Sequence, residues 1–173
     1  MIKIVTPDTS PEDLRLIYSY DETTGEFRLI KGRGGRRAGT IAGWVNAGVR
    51  FISVDNQMRL AARVAWAHYY GEWPKTLIDH IDGDRLNNAI ANLRLATFQQ
   101  NMWNRAARKS SSGRKGVCWD KQKNLWVAQI TQNRKHIFIG RFKTVEEASD
   151  AYEKVATELR GAWHRPNQVF GGN

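Results

Sequence analysis

The sequence predicts an α+β protein with N-terminal β-hairpins, a further hairpin followed by a helix, and then a three-stranded antiparallel sheet packed on one helix. Three observations lead to this fold class. Short apolar runs separated by Gly, Asn and Asp turns fill residues 14–60. Residues 59–70 have apolar side chains at helical spacing. Three alternating runs followed by an amphipathic stretch occupy residues 117–161.

The charge of the chain predicts a polyanionic partner. The 173 residues include 27 Lys and Arg against 17 Asp and Glu, a net charge of +10. The balance is +2 for residues 1–100 and +8 for residues 101–173, so the basic charge is concentrated in the C-terminal part. Nucleic acid is the simplest partner, and a merely soluble basic protein is the alternative.

Cysteine and hydropathy exclude several classes. Cys118 is the one cysteine, so neither an internal disulfide nor a structural zinc site is expected. No apolar run reaches the length of a membrane span, and the first residues lack a signal peptide. We therefore expect no membrane association and a cytoplasmic location.

The N-terminal part reads as two hairpins joined by a basic loop. LIYSYDETTGEFRLI has two apolar runs around residues 21–25, and GWVNAGVRFISVDNQMRL turns near residues 46–48 and 55–56. The loop between them, KGRGGRRAG, either contacts phosphate or is a solvated turn.

The middle of the chain predicts helix, strand pair and helix. RLAARVAWAHYY forms a helix that ends at Gly71. LIDHIDGD predicts a strand pair around the polar residues 82–84, which form a turn or hold a metal. A helix is expected from about Phe98 to Arg108, because Thr97 and Gln100 form a capping box.

The C-terminal part reads as a separate unit. KSSSG predicts a linker, and Thr144 is a good N-cap for a helix with an apolar stripe, which includes Leu159. We expect a first domain at residues 1–108, with its core at about 59–108, a linker at 109–114, and a second domain at 115–173.

Polar residues of the middle segment suggest phosphodiester hydrolysis. This reaction needs an activated water and a charge that stabilises the leaving oxygen. His80 could take the proton, and Asp79 with an amide oxygen would suit Mg²⁺. Asn87, Asn88 and Asn92 could instead only shape the loop.

The segment LIDHIDGDRLNNAIANLRLATFQQNMWN resembles the ββα-metal motif of HNH endonucleases, in particular phage and intron-associated homing endonucleases. The resemblance implies that Asp79 and Asn101 bind Mg²⁺ or Mn²⁺, that His80 is the general base, and that Asn92 pins the loop and so orients His80. Ala62 stands where relatives often carry His.

The C-terminal unit is similar to the DNA-binding domain of plant ethylene-response transcription factors, the Apetala type, in which a three-stranded sheet enters the major groove. The alternation places Gln129 and Thr131 on the face opposite the helix. The resemblance implies DNA contacts at Lys115, Gln129, Thr131, His136, Phe138 and Arg141. Trp119 and Lys135 are further candidates, with Trp119 in the core as the alternative. Arg105 and Arg108 would contact the phosphate backbone of the DNA.

The sequence therefore predicts a metal-dependent homing-type HNH endonuclease that cuts one or both strands of double-stranded DNA and finds its site through the C-terminal sheet. We expect a monomer acting in a bacterial host if the gene is phage-borne. The alternatives are a non-cleaving DNA-binding regulator and an RNA-binding protein.

Overall fold

The computed structural model describes residues 7–107 and 110–167 of the chain. Its coarse architecture is the expected mixture, since the described residues form four α-helices and several small antiparallel sheets. The chain divides into two compact units, Met1–Gln99 and Gln100–Asn173. No helix among the described residues has the length and apolar character that a membrane crossing requires.

The first unit begins with a helix where the sequence predicted a strand. Helix α1 spans Pro11–Ile17 and is followed by β1, Tyr18–Tyr20, which pairs with β2, Phe27–Leu29. The side chain of Ser10 accepts a hydrogen bond from the Asp13 amide at 3.1 Å, and proline stands at the first helical position. These N-terminal signals outweigh the strand preference of the apolar run that follows them.

The second hairpin region forms a three-stranded sheet. Strands β3 (Trp44–Asn46), β4 (Val49–Val54) and β5 (Gln57–Leu60) lie in sequential order. The β4–β5 turn consists of Asp55 and Asn56, both with positive φ, as two-residue hairpin turns require. The predicted turns near residues 46–48 and 55–56 are confirmed.

Helix α2, Ala61–Tyr70, lies at the centre of the first core. It ends at Gly71, which has a φ of 74°. Ala62 is buried at 5% exposure, so its side chain packs in the core cluster. Arg63 donates hydrogen bonds to the carbonyl oxygens of Thr76 and Pro74 at 2.8 and 2.6 Å, and so ties the helix to the loop that follows it.

The candidate site lies on the next hairpin. Strand β6, Leu77–His80, pairs with β7, Leu93–Ala96, and the loop between them ends in a 3₁₀ turn at Ile90–Asn92. Helix α3 then spans Phe98–Trp103, which is shorter than the predicted 98–108. The chain tightens after it, since the Arg105 amide bonds the Met102 carbonyl only three residues back. Arg108 lies outside the described residues.

The second unit contains a sheet and a long helix with a common core. Strands β8 (Val117–Asp120), β9 (Leu125–Gln132) and β10 (Lys135–Phe142) are antiparallel, with β9 central. Helix α4, Val145–Arg160, begins with the predicted capping box of Thr144 and Glu147. The buried cluster of this unit comprises Val117, Ala128, Ile130, Ala148, Tyr152 and Ala156. Leu159, expected in the apolar stripe, is 40% exposed because it lies in the last turn of the helix.

The segment after α4 packs back onto the second unit. The His164 ring lies 2.7 Å from a carboxylate oxygen of Glu153, and burial lowers the pKa of His164 despite that carboxylate. The Asn167 side chain, 8% exposed, accepts a hydrogen bond from the Lys115 amide at 2.8 Å. Residues 163–167 are therefore part of the folded unit.

Candidate functional site

Asp79 is a buried carboxylate on β6. It is 3% exposed, and its Oδ2 accepts a hydrogen bond from Arg94 Nε at 2.9 Å. The two residues are directly opposed in the β6–β7 register, which brings the ion pair together. Sequence reasoning missed Arg94, although a basic residue in the paired strand opposite an acidic one is a readable signal.

His80 is the last residue of β6, and its ring contacts a buried amide. Its Nε2 lies 3.1 Å from Oδ1 of Asn88, which is 1% exposed. Successive strand residues point to alternate sides. Accordingly, the Asp79 carboxylate lies against Arg94, whereas the His80 ring lies against Asn88. The sequence places Asn88 either in the polar constellation of the middle segment or among the residues that shape the loop, and it does not predict the contact with His80, because nothing local indicates that an asparagine is buried.

Asn92 fastens the loop that follows His80. Its Oδ1 accepts a hydrogen bond from the Asp82 amide at 3.0 Å, and its Nδ2 donates to Asp82 Oδ1 at 2.9 Å and to the Asn87 carbonyl at 2.8 Å. In addition, Asn87 Nδ2 donates to Asp82 Oδ2 at 2.7 Å. We refer to Asp82, Asn87 and Asn92 as the loop clasp. It closes the chain around the end of β6.

The loop clasp also sets the ionisation of Asp82. Partial burial raises the pKa of this carboxyl, but hydrogen bonds from Asn87, the Asp84 amide and Asn92 outweigh it, so the pKa lies below the ordinary value. Asp82 therefore stays charged, and its oxygens are engaged by donors of the loop. This bonding favours the turn interpretation of residues 82–84 over a metal site.

The chemistry of the donors fits a hard divalent cation. Asp79 offers a carboxylate, and Asn101 offers an amide oxygen from α3. Within residues 7–107 and 110–167, no three His, Cys, Asp or Glu side chains form a metal-binding group. A cation that keeps most of its waters needs only these two protein ligands. Because Asn101 belongs to the second unit and Asp79 to the first, their convergence stays a prediction.

The outer face of the second sheet brings together five predicted DNA contacts. Thr131 and His136 are opposed, with Oγ1 and Nδ1 3.0 Å apart, and Phe138 is opposite Gln129. The guanidinium of Arg141 lies 5.1 Å from the Phe138 ring centroid. We call these residues the outer row: Gln129, Thr131, His136, Phe138 and Arg141.

A β-bulge decides the position of Arg141. Strict alternation from Phe138 would turn Arg141 toward the helix side. The register shifts between Phe138 and Gly140, so that Gly140 is opposite the buried Ala128 and Arg141 is opposite Val127. Arg141 thereby joins the outer row, where it also bonds Asp120 Oδ2 at 3.3 Å.

Three other predicted contacts are placed differently. Trp119 is opposite Trp126, and the two rings make an edge contact at 5.1 Å, so Trp119 lies on the helix side although it is 38% exposed. Lys135 is exposed but alternates away from His136. The Lys115 ammonium lies against the Trp103 and Arg165 carbonyls, and burial, with help from nearby arginines, lowers its pKa to about 8 against the opposing effect of Glu153.

Two positions outside the sheet complete the predicted set. Arg105 is exposed just beyond α3, whereas Arg108 lies outside the described residues. In the first unit, the basic loop forms a turn in which Arg33 and Arg36 exchange backbone hydrogen bonds at 2.9 and 3.1 Å. Both side chains are exposed, so phosphate contact by this loop stays a prediction.

Comparison with known proteins matches two families along the chain. Residues 59–103 match the HNH endonuclease family, and residues 112–162 match the AP2 domain. The chain is similar to Protein 3.8 of Escherichia phage T7, with 43% identity over 103 residues that cover 58% of this chain and 84% of that protein. It is also similar to the uncharacterized HNH endonuclease L560 of Acanthamoeba polyphaga mimivirus, with 39% identity over 92 residues, covering 53% of this chain and 47% of that protein. Both predicted resemblances are confirmed.

Proposed function

Since the chain belongs to the HNH endonuclease family and carries an AP2 domain after the HNH segment, we propose that it is a metal-dependent, homing-type endonuclease for double-stranded DNA. The observation that carries the proposal is the end of β6, where a buried Asp79 and an anchored His80 stand beside the loop clasp. The proposed hydrolysis requires a carboxylate and an oriented imidazole at one place, whereas DNA binding alone requires neither.

His80 acts as the general base of the proposed reaction. Its imidazole takes a proton from the water that attacks phosphorus, and the 3′ oxygen departs, leaving 5′-phosphate and 3′-hydroxyl ends. Asp79 and Asn101 would hold Mg²⁺ or Mn²⁺, which supplies charge neutralisation at the phosphate. Asn92 acts through the loop clasp, keeping the chain after His80 in place.

The outer row is the proposed site-reading surface. A two- or three-stranded sheet fits the major groove, and the outer row offers hydrogen-bonding, aromatic and cationic groups from two neighbouring strands. Arg105 and Arg108 are proposed to contact phosphates, as is Lys115 if DNA draws its ammonium away from the Arg165 carbonyl. Trp119 and Lys135 are proposed as contacts at the margin of the sheet.

The proposed division of labour follows the two matched segments. We place the nuclease module at residues 1–108, a linker at 109–114 and the DNA-binding domain at 115–173. The chain would work as a monomer, and the phage relative supports an infected bacterial cell as its setting.

One observation favours a second candidate function. The Asp79 carboxylate is in an ion pair with Arg94, a cation that competes with a metal for the same charge. If the ion pair between Asp79 and Arg94 persists when the chain is bound to DNA, the chain would bind DNA without cutting it and would act as a regulator.

The deciding experiment incubates the purified full chain with supercoiled DNA and Mg²⁺, Mn²⁺ or EDTA. We expect nicked or linear DNA with either metal and none with EDTA. His80→Gln should abolish cutting with DNA affinity retained, whereas the exposed Glu72→Ala should cut normally. Bound but intact DNA from the wild-type chain would establish the regulator instead.

A further inference from the structure

Asn88 is among the most deeply buried polar residues of the first unit, and its side chain faces His80. We propose that Asn88 is the positioning residue of His80: its Oδ1 accepts the Nε2–H of the imidazole and so leaves Nδ1 as the nitrogen that receives a proton from water. This inference rests on the proposed nuclease function, in which His80 is the base.

The orientation of the Asn88 amide follows from its other partner. Asn88 Nδ2 donates to the Leu86 carbonyl at 3.1 Å. A carbonyl oxygen only accepts, so the NH₂ group must face Leu86 and the amide oxygen must face His80. With an acceptor 3.1 Å from His80 Nε2, that nitrogen must carry the proton. In the neutral ring, Nδ1 is then the basic nitrogen.

The N-terminal hairpin holds Asn88 in this position. Tyr20 Oη donates to the Asn88 carbonyl at 2.7 Å, and the Ile90 amide donates to the Glu22 carbonyl at 3.0 Å. Gly25 lies so close that a Cβ on it would be 2.3 Å from the Asn88 carbonyl carbon. The β1–β2 hairpin therefore packs directly on the segment that carries Asn88, and it thereby supports the base from a distant part of the sequence.

Loss of the acceptor should have two consequences for His80. The Nε2–H would lose a buried partner, which changes the ratio of the two tautomers by about fivefold to tenfold. The ring would also rotate more freely, so the fraction of time that Nδ1 faces the water falls. Together these effects predict a loss of about 10- to 100-fold in the rate of the chemical step.

The first test reads the tautomer without metal, DNA or cleavage. Imidazole nitrogen NMR of the full chain is recorded at alkaline pH, where the ring is neutral, and His80 is assigned by the signals lost in His80→Gln. We expect one Nε2–H tautomer in the wild type and a mixture in Asn88→Ala. Asn88→Asp keeps the acceptor and should restore the wild-type pattern. Glu72→Ala, at an exposed position of the same unit, is the control and should keep the pattern.

The second test separates binding from chemistry. Asn88→Ala should lower single-turnover cleavage about 10- to 100-fold while DNA affinity stays within about twofold. The proposal is wrong if the wild-type chain shows an Nδ1–H tautomer, a result that does not depend on the folding of any variant. It is also wrong if Asn88→Ala leaves the tautomer pattern of His80 unchanged. A wild-type chain that binds but never cuts, with the tautomer still dependent on Asn88, upholds the positioning and refutes the nuclease.

Discussion

Replacement of Asn92 by Asp tests the loop clasp most sharply. In the wild-type chain the Asn92 amide donates to Asp82 Oδ1 at 2.9 Å and to the Asn87 carbonyl at 2.8 Å. Asn92→Asp keeps the acceptor for the Asp82 amide but places a carboxylate oxygen where both donors were. Asn92→Ala removes the same donors and also the acceptor without adding charge, so the difference between the two variants is the repulsion less the one hydrogen bond that Asn92→Asp retains.

The magnitudes follow from the three bonds that Asn92 makes. Each net hydrogen bond contributes about 1 kcal/mol, and solvent replaces part of the loss because Asp82 is exposed, so Asn92→Ala should cost about 2–3 kcal/mol. Two carboxylates about 3 Å apart repel by between about 1 and 5 kcal/mol, depending on the effective dielectric constant. Exposure favours a repulsion near the lower end, about 2 kcal/mol. The retained bond from the Asp82 amide offsets about 1 kcal/mol of it, so Asn92→Asp should cost about 1 kcal/mol more than Asn92→Ala.

The stability that Asn92→Asp loses relative to the wild type, which we call its deficit, should depend on pH in a defined direction. In the wild type, the pKa of Asp82 is lowered, so its stabilisation is present above the unfolded value of 3.8 and is lost as the pH falls through the folded value. In Asn92→Asp, the like charge raises the pKa of the pair, and protonation relieves the repulsion. The deficit of Asn92→Asp should therefore shrink between neutral pH and about pH 4.

Urea unfolding of the full chain, with amide exchange at Asp82 as a local probe, measures these differences. Asn87→Ala removes the bond to Asp82 Oδ2 and the longer bond from the Ala89 amide, so it should cost about 1–2 kcal/mol. The exposed Asn46→Ala should stay within about 0.5 kcal/mol of the wild type. A stability of Asn92→Ala equal to that of the wild type, or a deficit of Asn92→Asp that does not shrink on acidification, would refute the loop clasp.

Two further substitutions and one truncation probe other parts of the structure. Gly25→Ala combines a φ of 74° with a Cβ 2.3 Å from the Asn88 carbonyl carbon, so it should destabilise the first unit by at least about 2 kcal/mol in urea unfolding. Gly34→Ala has a φ of 56° but open space for its Cβ, so it carries the backbone strain without the clash and should cost less. Deleting residues 163–173 removes the His164–Glu153 and Asn167 contacts and should lower the melting temperature of the second unit; an unchanged value would show that its fold ends at 162. The pKa of Lys115 is lowered to about 8 in the folded chain, so stability should rise between about pH 8 and 10.5, by about 1 kcal/mol relative to Lys115→Met, and parallel pH profiles of the two would contradict this.

The regular elements could be predicted because their signals are local. The Asp55–Asn56 turn, the capping box of Thr144 and the stop at Gly71 each depend on a few neighbouring residues. Helix α1 is an exception, since the apolar run from Leu14 predicts a strand whereas Ser10 and Pro11 indicate the start of a helix.

The amino-acid sequence alone is sufficient to identify the two families, the spacing of Asp79, His80, Asn92 and Asn101, and the alternation that puts Gln129 and Thr131 on one face. These features can be identified without a structure, because periodicity depends on a few neighbouring residues and motif spacing depends only on residue order.

Which side chains come into contact depends on the tertiary fold. The contact of Asn88 with His80, the bulge that turns Arg141 outward and the burial of the Lys115 ammonium all depend on where separate segments pack. An asparagine, an arginine or a lysine has the same local preferences whether it is solvated or buried. Its role is set by the partners that folding brings to it, because desolvation makes a hydrogen bond to such a group obligatory.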